Sequence, residues 1–190
     1  MITAALMAGG KSTRMGRDKC LIEVDGIPLW RRQLDLLSSL SKEVFIVAPN
    51  RPDWLPDKAH WIPDAVCNEG AMGGLAAALA RAAYPNVLML AVDMPGMTSA
   101  FLGKLLTMVS PRTGIVPEIE GRYEPLSAVY SYKALRVVKD LLFVEKNNSL
   151  QSLLRRLIQN GFMQTFSVTP AELSLFRNLN SPSDLEAANL

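Results

Sequence analysis

Histidine and cysteine are nearly absent from this 190-residue chain, which has one histidine, His60, and two cysteines, Cys20 and Cys67. The cysteines form no Cys-x-x-Cys pair, so neither a disulfide scaffold nor a zinc site of the usual spacing is indicated. We expect both thiols to be partly buried in a reducing compartment. A single histidine without a Gly-x-Ser-x-Gly segment argues against a Ser-His-Asp hydrolase, and we expect His60 at a strand edge or in the core.

Long apolar runs and a surplus of charge are also missing. No apolar run reaches the ~18 residues needed to span a bilayer, and the N-terminus lacks the charged start and apolar stretch of a signal peptide. The net charge of +2 does not suggest a concentrated basic face for nucleic acid. We therefore expect a cytoplasmic protein with neither a membrane nor a nucleic-acid partner, folded as a single domain over residues 1–190.

Apolar runs alternate with helical patterns along the chain. Strands are predicted at 3–7, 44–48, 60–62, 87–92, 114–116, 126–130 and 162–168. Helices are predicted at 28–40, 74–83, 99–109, 131–142 and 149–159, with a last helix opening at Ser181. This alternation predicts an α/β sheet that is covered by helices on both faces.

The most informative segment is the loop that follows the first predicted strand. It carries Gly9, Gly10 and Gly16 together with four cations, Lys11, Arg14, Arg17 and Lys19. Glycines let backbone N–H groups approach a ligand closely, and cations neutralise phosphate oxygens. The segment has neither the Gly-x-x-x-x-Gly-Lys-Ser/Thr of a P-loop nor the Gly-x-Gly-x-x-Gly of dinucleotide folds. It predicts a nucleotide-phosphate site of another kind.

The same segment resembles the signature Leu/Met-Ala-Gly-Gly-x-Ser-x-Arg-Met-Gly-x-Asp-Lys of nucleotidyltransferases with a glycosyltransferase-A-like fold. Met7, Ala8, Gly9 and Gly10 begin it, and Asp18-Lys19 end it. The Ala-Gly-Gly variant in so short a chain is most similar to the molybdenum cofactor guanylyltransferases. The resemblance extends over residues 6–185. It implies a three-layer, Rossmann-like fold whose mixed, mostly parallel sheet is that of the nucleotide-diphospho-sugar transferases.

The resemblance also implies a reaction. GMP would pass from GTP to molybdopterin carrying molybdenum, with Mg²⁺ as cofactor and pyrophosphate as second product. Molybdoenzyme apo-proteins or their chaperones would be the partners. Three alternatives within the same chemistry remain: molybdopterin cytidylyltransferase, a sugar-1-phosphate nucleotidyltransferase and phospholactate guanylyltransferase. A GTP-binding carrier of the cofactor without catalysis is an alternative of another class.

Two residues are candidate metal ligands. Asp93 directly follows the predicted strand 87–92, where a carboxylate and substrate phosphates together could hold Mg²⁺. Taken alone, Asp93 is equally well interpreted as a cap for the helix starting near Thr98. Asn180, within Asn178-Leu179-Asn180-Ser181-Pro182, resembles a second family ligand, but it could also be an ordinary loop residue before a helix cap.

Lys19 and Arg14 are the candidate phosphate contacts. By resemblance, Lys19 would contact the α-phosphate, while Arg14 and the backbone amides of Gly9–Ser12 would hold the β- and γ-phosphates. Either side chain could instead be a solvated surface cation. Lys11 and Arg17 are interpreted as solvated.

The nucleoside candidates are Asn50, Asp64 and Gly73. A carboxylate such as Asp64 can accept both adjacent N–H donors of guanine, although Asn and Asp are also common in turns. Gly73 lies in a segment that resembles the family's Gly-Pro-Leu/Met-x-Gly-Leu/Met element, with Ala71 in the place of proline. The segment 124–130 resembles a Glu-Pro-Leu-x-Ala-x-Tyr element on the acceptor side.

Overall fold

The computed structural model describes residues 1–9, 18–64 and 69–179. The strands within these stretches are β1 (Thr3–Met7), β2 (Glu23–Val24), β3 (Ile27–Pro28), β4 (Glu43–Val47), β5 (His60–Ile62), β6 (Asn86–Ala91), β7 (Gly114–Ile119), β8 (Arg122–Tyr123), β9 (Val129–Ser131) and β10 (Met163–Ser167). The α-helices are α1 (Leu29–Leu40), α2 (Gly70–Arg81), α3 (Ser99–Leu106), α4 (Ala134–Lys139) and α5 (Leu150–Gln159). A π-helical turn continues α4 over Asp140–Val144, and 3₁₀ turns cover Lys19–Leu21, Pro125–Ser127 and Pro170–Phe176.

One large sheet has the strand order β10-β7-β9-β6-β1-β4-β5, with β8 paired to β7. β1 is parallel to its neighbours β4 and β6, and the outer pairs β4–β5 and β7–β10 are parallel as well. β9 is antiparallel to β6 and to β7. The prediction of a mixed, mostly parallel sheet is therefore confirmed. β2 and β3 form a separate small hairpin.

Each face of the sheet has its own core, because successive strand residues point to opposite faces. Ala5 and Met7 of β1 face the core that contains α2, α4 and α5. Ala4 and Leu6 face the core that contains α1 and α3. All five residues of β1 are buried. Helices thus cover both faces and the sheet is the middle of three layers, which confirms the predicted fold class.

Local chemistry explains where the predicted elements differ from those observed. The predicted strand 126–130 is wrong in its first half, where Pro125–Ser127 form a 3₁₀ turn. Pro125 has no N–H to donate to a ladder, and its carbonyl accepts a hydrogen bond from the Tyr130 hydroxyl at 2.9 Å. The segment therefore folds back on its own strand, which is β9.

Helix boundaries shift as well. The helix predicted at 74–83 begins earlier, at Gly70, and the one predicted at 131–142 begins later, at Ala134. The 3₁₀ turn Pro170–Phe176 was not predicted; the Glu172 carboxylate stabilises its start by accepting a hydrogen bond from the Thr169 N–H at 3.0 Å. The helix predicted to open at Ser181 lies outside the described residues.

None of the helices in the described stretches has the length and apolar character that crossing a bilayer requires.

Candidate active site

The carboxyl ends of β1, β4 and β6 meet at one edge of the sheet, because β1 lies between the other two and runs parallel to both. Backbone hydrogen bonds extend past these ends: the Ala8 N–H donates to the Val47 carbonyl at 2.9 Å, and the Val92 N–H to the Met7 carbonyl at 3.2 Å. In open α/β sheets, ligands bind at this edge. A crevice of about 140 Å³ opens here, and its lining is Met7, Ala8, Gly9, Asp18, Lys19, Cys20, Ala71, Ala91, Val92, Asp93 and Leu126.

Two glycines allow the backbone to approach closely beside the crevice. A Cβ on Gly9 would lie 2.8 Å from Cδ of Pro49, so glycine lets the loop after β1 lie against the loop after β4. A Cβ on Gly74 would lie 2.4 Å from Cε of Met7 and 3.1 Å from Cγ1 of Val47. Helix α2 can therefore pack closely over the ends of β1 and β4.

Lys19 and Asp93 meet in the crevice although 74 residues separate them in the chain. The Lys19 Nζ lies 2.9 Å from Oδ2 of Asp93, and the two side chains are 21% and 22% exposed. A charge-assisted contact of this length is a strong hydrogen bond. The structure thus brings the predicted phosphate cation and the predicted metal ligand into direct contact.

Asp18 fixes the turn that presents Lys19. One carboxylate oxygen of Asp18 accepts a hydrogen bond from the Cys20 N–H at 2.9 Å, and the other accepts from Nε1 of Trp54 at 3.0 Å. Trp54 in turn stacks on Trp30 with ring centroids 5.0 Å apart. Lys19 therefore begins a 3₁₀ turn whose start is anchored to the loop after β4.

The segment that carries Asp93 contacts the C-terminal part of the described chain. The Leu179 N–H donates a hydrogen bond to the Asp93 carbonyl at 2.9 Å. Asn180 is the next residue in sequence, but it lies outside the described residues. The alternative role of Asp93 as a helix cap is not needed, because the Thr98 hydroxyl caps α3 by accepting from the Phe101 N–H at 3.2 Å.

The predicted site residues divide into three groups. Those that line the crevice are Met7, Ala8, Gly9, Lys19 and Asp93. Those outside the described residues are Gly10, Arg14 and Asn180. Those described but not among the crevice's lining are Asn50, Asp64 and Gly73.

The third group consists of residues near the same sheet edge. Asn50 is exposed and follows the end of β4 by three residues. Asp64 is half-buried and follows the end of β5 by two, and burial raises the pKa of its carboxyl group. Gly73 is buried inside α2, where its N–H donates to the Glu69 carbonyl at 3.5 Å. Ala71, two residues earlier in the helix, lines the crevice instead.

Six lining residues were not among the predicted site residues: Asp18, Cys20, Ala71, Ala91, Val92 and Leu126. Asp18 and Cys20 flank Lys19, so their place beside the signature lysine was the available signal. Burial, with the Asp18 charge adding to it, raises the pKa of the Cys20 thiol far above its usual range. The thiol therefore stays protonated at neutral pH and is not a thiolate nucleophile. It lies 3.6 Å from the Ala8 carbonyl, to which it donates.

A second and larger cleft, of about 490 Å³, adjoins the first. Its lining is Ile119, Glu120, Arg122, Tyr123, Glu124, Pro125, Gln151 and Asn178. Pro125 in this cleft precedes Leu126 in the crevice, so the two cavities share the Pro125–Ser127 turn. Burial raises the pKa of Glu124, and the positive charge of Arg122 opposes this shift. The Gln151 amide holds the wall by donating to the Tyr123 carbonyl at 2.8 Å.

The oxygen atoms that could bind a metal ion at the crevice suit one kind of ion. Across residues 1–9, 18–64 and 69–179 there is no group of three or more His, Cys, Asp or Glu side chains that could enclose a metal. Both Asp18 oxygens accept hydrogen bonds, whereas the described hydrogen bond to the Asp93 side chain, from Lys19, is at Oδ2, so Asp93 is the better placed of the two carboxylates for a ligand. Mg²⁺ fits this set, because it binds through one or two carboxylates plus phosphate oxygens and water.

Comparison with known proteins agrees with this geometry. The molybdenum cofactor guanylyltransferase of Xanthomonas euvesicatoria pv. vesicatoria is 32% identical over 185 residues, which cover 95% of this chain and 90% of that protein. A "Probable molybdenum cofactor guanylyltransferase" of Deinococcus radiodurans is 34% identical over 187 residues, which cover 97% and 92% of the two chains.

A solved structure shows the same fold. Molybdopterin-guanine dinucleotide biosynthesis protein A from Archaeoglobus fulgidus superposes with a TM-score of 0.79 at 22% identity, covering 98% of this chain and 96% of that one. The family model described as the MobA-like NTP transferase domain matches residues 4–161. The resemblance predicted from the first loop is thereby confirmed, and the chain belongs to the family of MobA-like NTP transferase domains.

Proposed function

We propose that this protein transfers GMP from GTP to molybdopterin carrying molybdenum, releasing pyrophosphate and forming the guanine dinucleotide form of the cofactor. The relatives of nearly equal length that are named for this activity support the choice of substrates. The structural observation that carries the proposal is the contact between Lys19 and Asp93 at the carboxyl ends of β1 and β6.

The reaction forms one P–O bond and breaks another. An oxygen of the acceptor's terminal phosphate attacks the α-phosphorus of GTP. The bond from that phosphorus to the oxygen bridging the β-phosphorus breaks, and pyrophosphate leaves with the electron pair. Such transfers need positioning and charge stabilisation more than covalent help from side chains. The Lys19 ammonium group, in the crevice, is proposed to oppose the negative charge that develops on the α-phosphate.

Other groups in the first loop would hold the remaining phosphates. The backbone amides of Gly9–Ser12 and the side chain of Arg14 are proposed to bind the β- and γ-phosphates. Only Gly9 of these lies in the described residues, and its close approach to Pro49 shows that a side chain would not fit there. A glycine backbone leaves its N–H accessible to an anion.

Asp93 is the proposed ligand for Mg²⁺, with Asn180 as a second ligand. When bound, the ion would supply charge neutralisation for the phosphates. Oδ2 of Asp93 also pairs with the Lys19 ammonium group, so the two residues belong to one electrostatic site.

The base and the acceptor are assigned to neighbouring regions. Asp64 is proposed to accept the N1–H and N2–H₂ donors of guanine, with Asn50 and the backbone around Gly73 as further nucleoside contacts. The acceptor is proposed to occupy the second cleft, where Arg122 offers a cation for its phosphate. A cytoplasmic location and delivery of the product to molybdoenzyme apo-proteins or their chaperones complete the proposal.

The direct test is incubation with α-phosphate-labelled GTP, Mg²⁺ and molybdenum-loaded molybdopterin. We expect label in a guanine dinucleotide product and one pyrophosphate released for each. Asp93→Ala should abolish this transfer while the melting temperature stays near that of the wild type. Label incorporated from CTP in preference to GTP would replace the guanylyl assignment with a cytidylyl one. Tight GTP binding without transfer of label would instead favour a non-catalytic carrier.

A further inference from the structure

A buried glutamine on α1 contacts the segment that carries Asp93. Gln33 has no exposed surface. Its Nε2 donates a hydrogen bond to the Met94 carbonyl at 2.6 Å, across 61 residues of sequence. Its Oε1 is buried and has no partner among the residues that the structure describes. An unpartnered buried amide oxygen is unfavourable for folding, so packing alone would be served better by an apolar side chain of the same size.

The hydrogen bond from Gln33 is one of several contacts that fix the backbone of the segment that carries Asp93 and Met94. The ladder of β1 extends as far as Val92, and the Leu179 N–H donates to the Asp93 carbonyl at 2.9 Å. The Met94 carbonyl accepts hydrogen bonds from Nε2 of Gln33 at 2.6 Å and from the Met97 N–H at 3.1 Å. The backbone is therefore held before, at and directly after Asp93. Loss of the Gln33 contact would leave the carbonyl of the Met94–Pro95 peptide with the Met97 N–H as its described partner, so this peptide could rotate more freely.

We infer that Gln33 is a positioning residue, which holds the Met94 carbonyl and with it the backbone after Asp93, so that the Asp93 carboxylate lies beside Lys19 and would be placed to hold Mg²⁺. The inference rests on the proposed function, because it assigns Asp93 to a metal. Metal ligands must be held within about 0.5 Å of a productive geometry, and partners that orient a ligand change metal affinity by about 10–100-fold when they are removed. Because Gln33 acts through the backbone, we expect a change near the lower end of that range.

The chain offers a matched control at the start of β6, the strand after which Asp93 follows. Asn86 begins β6, at the opposite end from Asp93, and like Gln33 it has a buried amide oxygen without a partner in the described part of the chain. Replacing either amide by an apolar side chain of similar shape removes a buried unpaired oxygen. The two replacements should therefore have comparable effects on folding, while Gln33 alone lies against the turn that carries Asp93.

The experiment compares Gln33→Met with Asn86→Leu. The Mg²⁺ concentration for half-maximal GMP transfer, measured at saturating GTP, should rise about tenfold in Gln33→Met. The KM for GTP at saturating Mg²⁺ should stay within about twofold of the wild type, because the phosphate contacts are intact. Affinity for Mn²⁺ in the presence of GTP, measured by electron paramagnetic resonance, should weaken by the same factor. Asn86→Leu should match the wild type in all three measurements.

Each outcome bears on the inference. Unchanged Mg²⁺ and Mn²⁺ responses in Gln33→Met would overturn it, even if the melting temperature moved. Equal shifts in both variants would also overturn it, since they would reflect general stability. If Gln33→Met does not fold, Gln33→Leu removes the same hydrogen bond. If the wild type binds Mn²⁺ with GTP but transfers no GMP, the proposed function fails, and the Mn²⁺ affinities still decide the role of Gln33.

Discussion

At the scale of single residues, opposite charges from two distant segments define this site. Lys19 and Asp93 are each about one-fifth exposed, and their contact at 2.9 Å joins the cation proposed for a phosphate to the carboxylate proposed for a metal. Substrate phosphates and a metal ion would each have to take over one partner of this pair. The pair thus places each charge beside an opposite one within the crevice.

Removing the cation should slow the chemical step. Lys19→Met is expected to lower kcat by about 10²-fold or more, because charge develops on the α-phosphate during transfer. The KM for GTP should change less, since the effect is greater in the transition state than in the bound nucleotide. Steady-state kinetics provide the measurement. Lys104→Met is the control: that lysine pairs with Glu172 at 3.0 Å and is half exposed. A similar decrease in both variants would rule out a specific role for Lys19.

Nucleotide binding should depend on pH through Asp64. Burial raises the pKa of its carboxyl group, so Asp64 takes up a proton at a higher pH than an ordinary aspartate does. Guanine needs the ionised form, which accepts both of its donors. GTP affinity should therefore fall as the pH is lowered through this raised pKa.

Titration calorimetry between about pH 4 and pH 8, on either side of the ordinary carboxyl range, measures this dependence. Asp64→Asn should bind GTP more weakly at neutral pH and should lose the acid-dependent decrease. Asp57→Asn, which changes a fully exposed aspartate, should retain the wild-type profile. The guanine contact would be refuted by an unaltered profile in Asp64→Asn.

At the scale of elements, the position of α2 depends on a glycine that faces the sheet. A Cβ on Gly74 would meet Cε of the buried Met7 side chain and would lie 3.1 Å from Cγ1 of Val47, so the Met7 side chain would have to shift. Gly103 in α3 is the contrasting case, because a Cβ there would meet nothing within 4 Å. The same substitution at the two helical positions should therefore act in opposite directions.

Gly74→Ala should lower the free energy of unfolding by about 1–3 kcal/mol through overpacking. Gly103→Ala should raise it by about 0.5–1 kcal/mol, since alanine restricts the unfolded chain and favours the helix. Urea unfolding measures both values. Because Met7 also lines the crevice, Gly74→Ala should change the KM for GTP while Gly103→Ala should not. An equal change in the free energy of unfolding in the two variants would show that α2 can move away from β1 freely.

At the scale of the whole molecule, nucleotide binding should stabilise the fold. A ligand at 100 times its Kd adds about 2.7 kcal/mol to the stability of the state that it binds. With Mg²⁺, GTP should raise the melting temperature more than CTP, UTP or ATP does, because of these four bases only guanine has the adjacent N–H donors that the proposed contact with Asp64 needs. Differential scanning fluorimetry compares the four nucleotides. Equal shifts with GTP and CTP would contradict the guanine preference.

Some of these elements could be predicted from short segments of the sequence. The bounds of β1 and β5 were predicted residue for residue, since each is a short apolar or β-rich run that ends in a loop. The β2–β3 hairpin has strands of two residues and was missed, because so short a pairing leaves no periodic pattern. The segment 126–130 was misread because proline and a folded-back tyrosine, rather than apolar character, decide its conformation.

The sequence by itself determined the α/β class and the family, and it predicts a phosphate site in the first loop, because strand and helix periodicity and a glycine-rich cationic signature are both local. Only the tertiary structure decided which distant residues meet. Lys19 reaches Asp93 across 74 residues, and Gln33 reaches Met94 across 61. Such contacts depend on the placing of β1 between β4 and β6 and on the packing of α1 against one face of the sheet. Strand order and helix packing arise from the burial of many side chains together, and no single segment of sequence records them.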